Sequence, residues 1–150
     1  MPLAFSGEAT KRIAIAMEHT NAMRSTYERI SAGDVDGFGE LLADDFVEHQ
    51  GMAVPPTKQG TLEFFRALLT SFPDMQMNVE DLFASGDKTV ARVTVSATHR
   101  ADFMGIAPTG NRVEMQLIDI MRFDDAGLVC EHWGVADMLS LMQQIGAVPA

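Results

Sequence analysis

The 150-residue chain contains one cysteine, Cys130. A single thiol excludes an intramolecular disulfide and a cysteine-built zinc site, and it fits a reducing, cytoplasmic setting. Basic residues are also scarce. Eleven Lys and Arg stand against 21 Asp and Glu, a formal net charge of −10. Nucleic acid and anionic membrane surfaces would both repel such a chain, so neither is expected as a partner. No apolar run approaches the roughly 20 residues that a bilayer span needs. The opening residues, MPLAFSGEATKR, have no basic stretch followed by an apolar one, so no signal peptide is read there. Chemical motifs are missing too. There is no HExxH, GxSxG or phosphate-loop pattern, and the four histidines show no ligand spacing. Neither a metal nor a cofactor is therefore expected.

What the chain does have is enough apolar residue for one core, 47%, and a length that suits one domain, residues 1–150. Eleven methionines suggest a core or pocket with adaptable packing. The first half reads as helical. Ile13, Met17, Thr20, Met23, Tyr27 and Ile30 recur at helical spacing over 9–31 and give one mostly apolar face. Gly33 suits a helix C-terminus and Asp34 the N-cap of a short helix over 35–43. A loop with Gly51, Pro55, Pro56 and Gly60 precedes a third helix over 61–71, which Pro73 stops.

After this the period changes to two. Strands are predicted over 76–84, 89–103, 113–123 and 128–135, with turns at Gly86–Asp87 and Asp124–Gly127. Asp137 suits the N-cap of a closing helix over 138–145. Helices first and an antiparallel meander second make an α+β order. A curved sheet wrapped over helices encloses an apolar hollow suited to a small molecule.

Alternation then sorts the polar groups. In the strand 113–123, Val113, Met115, Leu117, Asp119, Met121 and Phe123 share one face. Asp119 is the one acid on that apolar face. Buried, it must be hydrogen-bonded, paired or raised in pKa, so it is either a general acid–base or half of a structural ion pair. In the last strand Cys130, His132 and Gly134 share one face, and Glu131, Trp133 and Val135 the other. His132 can then join Asp119, and an Asp–His pair orients and polarises an imidazole. His49 ends the run DDFVEH before the Gly/Pro loop, at the expected pocket mouth, where an imidazole can shuttle protons. His19 reads as structural. His99 shares the apolar face of Val93, Val95 and Ala97, whereas Arg92, Thr94, Ser96 and Thr98 form a polar stripe for solvent or a dimer contact.

The segments GDVDGFGELLADDFVEH, SFPDM, GDKTVARVTVSATH, FMGIAPTG, IMRFDDAGLV and EHWGVADMLSLMQQIG resemble the SnoaL-like polyketide cyclases. These belong to the nuclear-transport-factor-2-like superfamily, with ketosteroid isomerase and limonene epoxide hydrolase. The resemblance runs from about residue 20 to 146. It implies a cone: a curved mixed or antiparallel sheet over three N-terminal helices, a short C-terminal helix, and commonly a homodimer. The pocket lies between sheet and helices, with Phe46, Met52, Phe65, Leu69, Phe72, Met115, Leu117 and Met121 as its expected lining.

Such cyclases close a polyketide ring by an intramolecular aldol step, without metal or cofactor. Their acid–base Asp falls at the position of Gly134, and a pocket His at that of Asp119. The resemblance therefore implies a pocket whose acid has moved across the hairpin. His49 falls where ketosteroid isomerase has its general-base Asp. Ala107 and Asn111 depart from the family's PPTGR-like loop. The expected function is cofactor-independent proton transfer on an apolar, oxygenated small molecule, as a cyclase or isomerase, with Asp119 as acid–base and His49 and His132 relaying. The alternative is a binding or shape-catalysing pocket of the pericyclic type. Epoxide hydrolysis, which would need Arg92, Asp119 and Asp137 together, ranks third because Arg92 falls on the other face.

Overall fold

A computed structural model describes residues 4–150. In chain order the elements are α1 (Gly7–Ser31), α2 (Val35–Glu40), β1 (Leu42–Glu48), α3 (Lys58–Ser71), β2 (Gln76–Ser85), β3 (Lys88–Thr98), β4 (Arg112–Phe123), β5 (Val129–Ala136) and α4 (Met138–Gln144). The five strands form one sheet in the order β1-β5-β4-β3-β2. β2 to β5 are an antiparallel meander, and β1 joins β5 in parallel. The sheet is thus mixed, with helices ahead of it and a short helix behind.

Local chemistry sets the boundaries. Ser6 caps α1 by accepting from the Ala9 N–H at 3.2 Å, and Asp34 caps α2 by accepting from Gly37 N–H at 2.9 Å. Between them the chain reverses at Gly33, whose φ of 74° is free to glycine. Asp137 caps α4 through the Ser140 N–H at 3.0 Å.

The faces of β4 follow the alternation. Val113, Asp119, Met121 and Phe123 are buried, and Glu114, Gln116 and Ile118 are exposed. The inner face of the sheet, with Ala91, Val93 and Val95 from β3, packs on Met23, Tyr27 and Ile30 of α1, Phe38 of α2 and Leu62 of α3. Each large side chain so buried stabilises the fold by roughly 1.5–3 kcal/mol before entropy is counted.

Three expectations are corrected. The residues 42–48 form a strand, β1, where the pattern indicated the end of a helix and a connecting segment. Parallel pairing beside β5 supplies the ladder that local sequence does not advertise. β3 stops at Thr98, short of 103, because Asp74 takes both the Thr98 N–H and its hydroxyl at 2.7 Å. The chain then turns back through Phe103–Ile106, a tight bridge with Met104 at φ 53° and Gly105 at φ 81°. Finally, Ile13 and Met17 carry the apolar period of α1 but are 49% and 60% exposed. The inward face of that helix begins only at His19.

Candidate active site, a buried carboxylate–imidazole chain

Strand register brings Asp119 and His132 together. Asp119 pairs with Gly134 and Met121 with His132, so the two polar side chains sit diagonally on the inner face. His132 Nε2 lies 3.0 Å from Asp119 Oδ1. On the far side, β1 places Glu48 directly beside His132. His132 Nδ1 is 2.8 Å from both Glu48 oxygens, and Glu48 Oε1 also accepts the Gln50 N–H at 2.9 Å. Tyr27, reaching down from α1, donates its hydroxyl to Asp119 Oδ2 at 2.8 Å. The result is a continuous chain, Tyr27–Asp119–His132–Glu48. The residues Tyr27, Asp119 and Glu48 are 2%, 6% and 6% exposed, so bulk water screens it little.

Both ring nitrogens of His132 face carboxylates, and an imidazole can donate at both ends only as the imidazolium. Burial pulls its pKa down, but the hydrogen bonds and charges of Asp119 and Glu48 outweigh that and push it up to about 9. The Tyr27 phenol is held well above its usual value, first by burial and then by the Asp119 carboxylate, so it keeps its proton.

Gly134 makes the room. A Cβ there would stand 2.6 Å from Gln50 Oε1, 2.7 Å from Asp119 Oδ1 and 2.9 Å from His132 Cε1. No side chain at 134 fits beside Asp119 without displacing one of these groups.

His49 is elsewhere. Its ring stacks on Trp133 with centroids 4.8 Å apart, and its Nε2 lies 3.0 Å from Glu131 Oε1. Glu131 also binds Arg122 and, through Arg122 and His49, is held below the usual carboxylate range. Trp133 and Glu131 belong to the face of β5 opposite His132. The structure therefore joins Asp119 and His132 and separates His49 from them by the thickness of the sheet.

Arg92 pairs with Asp81 on the outer face at 2.7 Å, and Asp137 is a helix cap, so neither meets Asp119. The expected lining residues are mostly in the core. Phe46, Phe72 and Met121 are buried in it, Phe65, Leu69, Met115 and Leu117 pack against it, and Met52 is half-buried on the loop. Two clefts open elsewhere. One, of about 520 Å³, lies between the end of α1 and the start of β2 and includes Tyr27. The other, about 480 Å³, lies between α3 and Phe103–Met104. Among the described residues, no cluster of three His, Cys, Asp or Glu is arranged to hold a metal ion, and no helix is long and apolar enough to cross a membrane.

The SnoaL-like polyketide cyclase family model matches residues 20–145, from the middle of α1 to the end of the sheet and α4. The chain belongs to this family. Among solved structures similar to this chain, AclR, a candidate hydroxylase from Streptomyces galilaeus, is 30% identical with a TM-score of 0.80, covering 89% of this chain and 99% of its own. TsrD from Streptomyces laurentii is 29% identical with a TM-score of 0.80, over 88% and 97%. IdmH, a candidate polyketide cyclase from Streptomyces antibioticus, is 32% identical with a TM-score of 0.75, over 85% and 98%. No curated protein matches the sequence.

Within this SnoaL-like domain, sequence reasoning missed Glu48 and Tyr27. The signal for Glu48 was its spacing from Phe46. Read as a strand, DDFVEH puts Glu48, not His49, on the face of Phe46. For Tyr27 the signal was its place on the inward stripe of α1, where a buried phenol needs an acceptor.

Proposed function

We propose that this SnoaL-like domain catalyses cofactor-independent proton transfer on an apolar, oxygenated small molecule, as a polyketide-type cyclase or isomerase. The observation that carries the reading is the buried Tyr27–Asp119–His132–Glu48 chain. Asp119 is the catalytic base. It takes a proton from a carbon next to a carbonyl and returns it at the product position. The His132 imidazolium and the Tyr27 phenol hold the carboxylate in one orientation and set its basicity, and Glu48 keeps the imidazole charged and aligned. His49 has no part in this step, because it faces the other side of the sheet. The acid reaches the family's usual reaction position from β4, and Gly134 on β5 leaves it the space. The protein acts in the cytoplasm as a homodimer. The uncovered outer face of the sheet, with Ile118 and Val135 51% and 78% exposed, supports that pairing.

The test is deuterium exchange at carbons next to the carbonyls of apolar cyclic and 1,3-diketones in D₂O, followed by NMR. Wild-type protein is expected to accelerate exchange, and Asp119→Asn to lose about 10²–10⁴-fold of it. Equal exchange by both proteins, or none above buffer, would sink the assignment.

One observation favours a second reading, a pocket that binds or shapes its ligand without acid–base chemistry. The polar chain is already internally partnered, and position 134 carries no side chain. A rate that stays unchanged as pH rises through about 9 to about 11, where the His132 imidazolium loses its proton, favours that alternative.

A further inference from the structure

Gly134 leaves a notch on the inner face of β5, and a side chain from outside the sheet ends in it. Gln50 stands two residues past Glu48, just beyond the end of β1. Its Oε1 is 2.6 Å from the point where a Cβ of residue 134 would be, and Asp119 Oδ1 is 2.7 Å from the same point. The Gln50 amide and the Asp119 carboxylate are therefore neighbours, with bare glycine backbone beneath them. The backbone of Gln50 is tied to the site as well, because its N–H donates to Glu48 Oε1 at 2.9 Å.

The notch is not sealed. Gln50 and Gly134 are half-buried. So are the next inner-face residues, Leu117 of β4 and its cross-strand partner Ala136 of β5. An apolar molecule resting on Leu117 and Ala136 meets the Gln50 amide and the Asp119 carboxylate side by side.

Of the side chains around Asp119, Gln50 is the uncommitted one. His132 has both ring nitrogens on carboxylates, and Tyr27 gives its one proton to Asp119. The Gln50 side chain has no hydrogen-bond partner among the described residues, and its one bond runs from the backbone. An amide offers two N–H donors and an acceptor oxygen, and a half-turn about its last bond exchanges the two ends. Beside a carboxylate the N–H end is favoured, because two acceptor oxygens repel.

The chemistry asks for such a donor. When a base removes the proton next to a carbonyl, the C–H electron pair forms the carbon–carbon double bond, and the carbonyl pair moves onto the oxygen. That oxygen becomes negative. Asp119, His132 and Glu48 already carry two negative charges against one positive, so they offer the oxygen no net compensation. A donor held ready where the charge develops does. We infer that Gln50 is a catalytic residue that holds the carbonyl oxygen of the substrate and stabilises the enolate through its Nε2–H. Asp119 takes the proton, the oxygen holds the electron pair against Gln50, and both return when the carbon is reprotonated. This role rests on the acid–base reading above. It adds an orientation: the carbonyl oxygen faces the chain leaving β1, and the reacting carbon faces Asp119.

The test follows deuterium exchange of 2-tetralone in D₂O by NMR, over a range of ketone concentrations. Gln50→Ala keeps the backbone N–H that Glu48 accepts. It is expected to lower kcat by about 10²–10³-fold with little change in KM. Gln50→Glu keeps the shape but has no N–H at neutral pH, and is expected to lose at least as much. In Gln50→Ala the His132 titration should stay near 9, which shows that the carboxylate–imidazole chain is intact. A fall in that titration together with the rate would make Gln50 a prop of the chain and overturn the inference. An unchanged kcat in Gln50→Ala, with Asp119→Asn inactive, overturns it too and leaves the acid–base reading standing. No exchange by the wild-type protein overturns both.

Discussion

A methyl group at position 134 would stand 2.7 Å from Asp119 Oδ1, closer than packed atoms tolerate. Gly134→Ala is therefore expected to destabilise the fold by about 1–3 kcal/mol through overpacking, measured by urea denaturation. In the same variant the His132 titration followed by NMR should move down, because the displaced Asp119 no longer holds the proton. The pKa of about 9 also fixes a pH window. A folded-state value above the usual 6.5 means that the folded chain binds this proton more tightly. The stabilisation is full below about 6.5 and is lost as pH rises through about 9, by about 1.4 kcal/mol per unit of difference. Denaturation at a series of pH values across that window should show stability falling with rising pH. Asp119→Asn should flatten the fall. Asp119 and His132 were legible as residues because alternation places one acid and one imidazole on apolar faces of adjacent strands. Their partners were not, because hydrogen bonds between α1, β1 and the sheet span 84 to 92 residues of sequence.

At the scale of elements, the long periodic ones were readable and the short or context-bound ones were not. α1, α3 and the meander announce themselves by apolar spacing and turn residues, and the caps at Asp34 and Asp137 fall where the sequence placed them. β1 gives no such signal. Its burial pattern breaks at Asp44 and Asp45, and a register irregularity separates Leu42 from Val47, so its alternation is too short to stand out. That one missed strand reverses the sides of two neighbours. It turns Glu48 into the site and His49 out of it. The period of α1 misled in the opposite way. It shows which residues share a side, not whether the fold covers that side, and Ile13 and Met17 lie where the sheet has already ended. The tie between α1 and the sheet is Tyr27. Tyr27→Phe should cost about 1–3 kcal/mol, since it leaves a buried carboxylate oxygen without its donor. A double-mutant cycle with Asp119→Asn should be clearly non-additive, as expected for groups in direct contact. Additive losses would mean that the hydrogen bond does not couple the helix to the site.

For the whole molecule, charge and apolar surface act in opposite directions. The chain carries −10 with an isoelectric point near 4.6, so two copies repel at neutral pH. Yet its outer sheet face exposes Phe83, Ile118 and Val135, and the first half of α1 exposes Ile13 and Met17. In the proposed homodimer, association then comes from apolar burial, which salt does not screen, working against repulsion, which salt does. Raising the ionic strength from about 0.01 M to about 0.15 M shortens the screening length from about 30 Å to about 8 Å. Repulsion between bodies weakens over that range while the apolar contacts persist. Self-association at pH 7 should therefore tighten with added sodium chloride, severalfold in dissociation constant by sedimentation equilibrium. If the contacts were ion pairs instead, such as Arg92 or Arg122 reaching an acid of the other copy, the same salt would loosen them. The sign of the salt effect thus decides which force would assemble the proposed homodimer, and Val135→Asp at fixed salt tells whether the sheet face contributes to it.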